Sequence, residues 1–116
     1  YVYVGSARRN LAARIARHRR RRKQLHWHLD YFRQQADVVA DIPIRTADDL
    51  EHDLAASLAP LSDWSMDGFG CSDCHCPSHL FGFQANPVHD RQFMQIVEEF
   101  RMNRLEKIFQ TCKSMI

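Results

Sequence analysis

A small mixed domain of the α/β (α+β) class, a short antiparallel sheet flanked by helices, is predicted by three observations. The opening run Tyr1-Val2-Tyr3-Val4 is β-branched and aromatic, the composition of a strand. Several later stretches repeat apolar residues at spacings of three and four, the period of helices that pack on a core. Among them, Val38-Val39-Ala40-Asp41-Ile42 is a short apolar run closed by Pro43, which reads as another strand. With 116 residues, 45% of them hydrophobic, the chain can enclose one modest core. A single domain over 1–116 is expected, with a core at 1–60, a Cys/His loop at 61–88 and a helical segment at 89–116.

Each element has its own signal. The first strand begins abruptly at Tyr1, so a further segment is expected upstream. Gly5-Ser6-Ala7 breaks it, and 8–22 places Leu11, Ala12, Ile15 and Ala16 at helical spacing under a basic surface. A second helix is expected over 25–36, where Leu25, Leu29 and Phe32 step by four and three. Thr46 and Asp49 make a weak capping box before Leu50, Leu54 and Leu58, a third helix that ends at Pro60. From 61 to 88 the pattern is irregular, punctuated by Gly68, Gly70, Pro77, Gly82 and Pro87. An ordered loop is expected there, because Trp64, Phe69, Leu80, Phe81 and Phe83 require burial. Phe93, Ile96, Val97 and Phe100, then Leu105, Ile108, Phe109 and Cys112, predict one or two terminal helices with a break near Asn103.

Charge is uneven rather than large. The formal net charge is +2, but more than half of the sixteen Lys and Arg residues lie between Arg8 and Lys23, whereas Asp37 to Asp67 holds eight acids and one base. Such a basic helix attracts phosphates without regard to sequence, which makes Arg17, Arg20, Arg21 and Lys23 candidates for binding nucleic acid, DNA ahead of RNA. Its ordinary fate is a solvated face. No base-reading motif or aromatic platform accompanies it, so sequence-specific readout is not expected. No apolar stretch approaches a membrane span and no secretory segment is visible; a cytoplasmic protein with reduced thiols and no membrane partner is expected.

Cys71-x-x-Cys74-x-Cys76-x-x-His79 gathers zinc-type donors within nine residues. Structural zinc sites join two separated ligand pairs, so buried cysteines that hold the loop compete with zinc as the explanation. His26 and Asp30 share a helix face while His28 points elsewhere, which argues against a three-ligand site within that segment.

The chain resembles the GIY-YIG nucleases. Tyr3-Val4-Gly5-Ser6 is similar to the second half of their signature, followed by Leu11, Arg14 and His18 as the helix motif and Glu51 at about the distance of their metal-binding glutamate. More narrowly, Tyr1-Val2-Tyr3-Val4-Gly5-Ser6-Ala7, Leu25-His26-Trp27-His28-Leu29-Asp30-Tyr31 and Gly68-Phe69-Gly70-Cys71-Ser72-Asp73-Cys74 through Ser78-His79-Leu80-Phe81 resemble an uncharacterised branch classed as a domain of unknown function. The resemblance implies a β-β-α-α-β-α fold whose first strand is missing from this sequence, and hydrolysis of DNA phosphodiester bonds, as in DNA repair, with Mg²⁺ or Mn²⁺. It implies that Tyr3 helps activate water, Arg14 holds phosphate, His18 hydrogen-bonds or relays a proton and Glu51 holds the metal. In that branch Asp73, His79 and the His26, His28, Asp30 stretch recur together, which suggests one pocket. The alternative expectation is a non-catalytic accessory module that binds nucleic acid or zinc.

Overall fold

The computed structural model of the chain describes residues 1–7, 9–26, 28–45, 50–70 and 77–114, with side chains as far as residue 102. The opening run forms β1 (Val2–Tyr3). After it come α1 (Leu11–Arg19), α2 (His28–Phe32), α3 (Glu51–Leu58), a 3-10 turn (Ala59–Leu61), β2 (Trp64–Ser65), β3 (Leu80–Gly82), a second 3-10 turn (Pro87–His89) and α4 (Arg91–Ser114).

The three strands form a sheet in the order β1-β3-β2, antiparallel throughout. Val2 stands opposite Phe81 and Tyr3 opposite Leu80. Beyond the ladder, the Val4 N–H donates to His79 O at 2.9 Å, so the pairing of β1 runs on to the residue before β3. Alternation along a strand sends successive side chains to opposite faces. Val2, Val4 and Phe81 therefore share one face, packed with Ala55 and Leu58 of α3 and Phe93 and Val97 of α4. Tyr3 and Leu80 share the other, packed with Leu29 and Phe32 of α2 and with Phe69. Each fully buried Leu, Val or Phe contributes about 1.5–3 kcal/mol, and Leu58, Leu80 and Phe81 are among the most enclosed.

The expected antiparallel sheet flanked by helices is present, but its strands come from elsewhere. Residues 38–42 are not a strand: Val39 is 89% exposed and only Ile42 reaches the core. β3 is the central strand, flanked by β1 and β2, and the β-branched composition at 38–42 does not by itself make a strand, because strand preference depends on packing against neighbours. β2 and β3 instead arise in the segment expected to be an irregular loop, where runs of two and three residues are too short for a period of two to register. Helices differ in extent as well. α1 and α2 are shorter than 8–22 and 25–36, and α4 passes through Asn103 unbroken.

Buried charge explains how α1 is held. Its first turn is capped by Asn10, in the left-handed region at φ 49°, whose side chain accepts from the Ala13 N–H. At the far end, helix carbonyls need donors. Arg33, 5% exposed, donates to His18 O and Arg19 O at 2.8 Å, and Lys23 Nζ donates to Arg17 O at 2.9 Å. Asp30 of α2, 1% exposed, accepts both nitrogens of the Arg17 fork at 2.8 and 2.9 Å and lies 3.3 Å from Lys23 Nζ. Arg17 and Lys23 are thus turned inward, whereas Arg19 and Arg21 pair with Asp41 and Asp37 at the surface. Removing Asp30 leaves two cations uncompensated. Asp30→Asn is expected to lower unfolding stability by about 3 kcal/mol, read from the urea midpoint, while Asp37→Asn leaves that midpoint unchanged.

Candidate functional site

α3 turns its apolar stripe of Leu54, Ala55 and Leu58 to the core, and Glu51 stands three and four residues before Leu54 and Ala55, on the same stripe. Its side chain is consequently only 17% exposed and must find donors among its neighbours. Ser6 Oγ, just after β1, donates to Glu51 Oε2 at 2.6 Å. His79 Nδ1, just before β3, lies 2.9 Å from Glu51 Oε1 and 3.1 Å from Val4 O. Both facing atoms are acceptors, which places a proton on Nδ1 by inference. The imidazole itself is fully buried, in edge contact with His52 at 5.5 Å between centroids.

The turn from β1 to α1 draws in the remaining candidates. Arg14 Nη1 donates to Ser6 O at 2.7 Å, so Ser6 touches Arg14 through its carbonyl and Glu51 through its hydroxyl. The Tyr3 ring folds back over Gly5, where a Cβ would stand 2.7 Å from the ring and 3.1 Å from its hydroxyl; only glycine leaves that room. Tyr3 also meets His18 and Phe69 edge-on, each at 6.0 Å between centroids. Arg14 and His18, one turn apart on α1, both reach this side of the helix. Burial, the nearby Lys23 charge and, more weakly, the Arg14 and Arg17 charges push His18 down to about 4 against the opposing pull of Asp30. His18 is a neutral imidazole at physiological pH, able to give or take a hydrogen bond.

Ser6 therefore links Arg14 to Glu51, while the Tyr3 ring, folded over Gly5 in the same turn, meets His18. The family described as domain of unknown function DUF123 has a sequence model that matches residues 1–102. The chain belongs to that family. No curated protein and no solved structure gives a significant match. The match to the family covers the sheet, the site and the first half of α4.

The other candidates are dispersed. His26 contributes its backbone N–H to Asp30 at 2.8 Å, and Asp30 is engaged by Arg17 and Lys23. His28 Nδ1 accepts from the Gly70 N–H at 2.9 Å and packs on Phe69. Cys71, Asp73, Cys74 and Cys76 lie outside the described residues; among the described ones no three His, Cys, Asp or Glu gather as metal ligands. No helix there is long and apolar enough to cross a membrane. Arg20 and Arg22 are exposed and, with Arg17, Lys23 and His26, line an open concavity of about 450 Å³. The link from Glu51 to His79 and Ser6 was not foreseen from the sequence. Its one legible sign is an acid on the apolar stripe of a helix.

Two outcomes follow from these contacts. His79→Ala is expected to cost about 2–4 kcal/mol in the urea midpoint, from the cavity and the acceptors left bare. His79→Asn, whose amide can occupy the place of Nδ1–H, recovers part of that loss and His79→Gln less. The second concerns pH. His18 binds a proton less readily folded than unfolded, so its contribution is complete above about 6.5 and is lost as pH falls toward 4. His18→Gln should flatten that part of a stability-against-pH profile.

Proposed function

We propose that this domain hydrolyses phosphodiester bonds of DNA with the help of a divalent cation, Mg²⁺ or Mn²⁺. The observation that carries the reading is the double contact of Ser6, which brings a guanidinium and a carboxylate from separate helices to one turn. A cation fits the donor set. An ionised carboxylate offers about four lone-pair sites, of which the His79 and Ser6 contacts use two. Mg²⁺ keeps most of its waters and accepts a single protein carboxylate. Once bound, such an ion supplies Lewis-acid stabilisation of charge on the phosphoryl oxygens.

The residues of the chain divide the remaining work. Arg14 would hold a phosphate, its head limited in position by the bond to the Ser6 carbonyl. The Tyr3 phenol, kept against Gly5, would hydrogen-bond and orient the attacking water. Neutral His18, against the Tyr3 ring, fixes the direction of that ring more readily than it stores a proton at pH 7. His79 and Ser6 hold the carboxylate in one orientation. The exposed bases of the Arg20 and Arg22 concavity would take adjoining phosphates.

Glu51→Gln retains side-chain size and removes the charge. On branched and flapped DNA with Mg²⁺ or Mn²⁺, it is expected to reduce the cleavage rate at least about a hundredfold without weakening binding in EDTA. Equal rates in wild type and variant would remove Glu51 from the chemistry. Binding with no cleavage by the wild type would leave the second reading, a nucleic-acid-binding module, which the Arg20 and Arg22 concavity favours.

A further inference from the structure

The face of the molecule beside α2 is unusually aromatic. His28, Tyr31, Phe32, Gln35, Met66 and Phe69 line an open groove of about 400 Å³. Tyr31 is 56% exposed and Met66 45% exposed on its walls. The aromatic surface continues beyond it, since Tyr1 meets Phe32 edge-on at 5.1 Å and Trp64 at 6.1 Å between centroids. Trp64, 45% exposed, has its indole against Gly82, where any Cβ would strike the ring. Contiguous exposed rings of this kind mark a binding surface more often than an isolated apolar side chain does.

Charge says what the groove suits. His28 lines the groove and His26, two residues away, lines the basic concavity with Arg20 and Arg22. Two residues of chain span at most about 7 Å, so the aromatic and cationic concavities flank the same short segment. A nucleotide carries the complement of each, a flat base for the aromatic floor and a phosphate for the cationic rim. Stacking tolerates any base, because each has a π-face, and the polar edges of His28 and Gln35 meet its rim. Bases inside a duplex are already stacked on their neighbours and cannot enter.

We propose that the groove beside α2 binds an unpaired base of a nucleic-acid strand whose phosphates run onto Arg20 and Arg22. The inference rests on the nucleic-acid part of the reading above and is independent of the cleavage chemistry. It makes the domain selective for single strands and flaps over blunt duplex.

Fluorescence anisotropy on the whole chain in EDTA tests it, with a labelled mixed-sequence single strand and the blunt duplex of the same sequence. The wild type is expected to prefer the single strand. Tyr31→Ala and Met66→Glu, at exposed walls of the groove, weaken single-strand binding about fivefold or more and shift duplex binding much less; Tyr31→Phe retains the preference. Arg20→Ala weakens both ligands, and more at low salt. Equal affinity of the wild type for the two ligands, or single-strand binding unchanged in both groove variants, overturns the proposal. Because no cation is present, failure of Glu51→Gln to alter cleavage would leave this result standing, and loss of the groove effect would leave the cleavage result standing.

Discussion

A carboxylate on the inward stripe of a helix must find donors, and those that Glu51 finds come from the two ends of the paired strands. Ser6 follows β1 and His79 precedes β3, so the two contacts tie α3 to the strands at the point where their pairing begins. The same imidazole N–H faces Val4 O, which makes His79 part of the β1–β3 junction as well as a partner of Glu51. Position and chemistry are coupled here. A change at His79 disturbs the sheet and the carboxylate together, and for that reason its effects on activity would have to be separated from its effects on stability.

Another carboxylate, this one fully buried, organises the other half of the molecule. Asp30 collects Arg17 and Lys23, and Arg33 finishes the carbonyl end of α1. A run of like charges would otherwise repel itself. Distributing it over Asp30, Asp37 and Asp41 draws the acidic middle of the sequence against the basic beginning. Arg20 and Arg22, which stay outward, line one concavity.

The sequence was most legible where a side chain's neighbours along the chain decide its fate. β-branching and aromatic alternation place β1, and spacing by four places α3 and the core face of α4. The sheet partners were illegible, because β2 and β3 are two and three residues long and their pairing joins positions many residues apart. Val38–Ile42 had the composition of a strand but lies largely exposed and unpaired with the sheet. At the site, the resemblance named Tyr3, Arg14, His18 and Glu51 but assigned no part to Ser6, the residue that links Arg14 to Glu51. Long-range contacts such as Ser6 with Glu51 leave no periodic trace. The inward turn of Arg17 and Lys23 was hidden for the same reason, since Asp30 alone shows no sign of what it will bind.

Charge accounting around the turn gives one further consequence. Arg14 and Glu51 carry opposite formal charges, and His18 is held neutral by its surroundings, so these three groups bring little net charge to the site. A phosphodiester arrives with one negative charge and develops more as its bond to the leaving oxygen breaks. Arg14 can balance the first but not both. In the proposed reaction the growing charge would need another cation close to the reacting atoms, and the Arg20 and Arg22 concavity is lined by the last turns of α1 and the chain after it rather than by the β1–α1 turn. On the proposed reading, the carboxylate of Glu51 would recruit that charge from solution. On this argument the half-buried acid of α3 is the reason that cleavage by this site would depend on a divalent ion, while binding through the arginines would not.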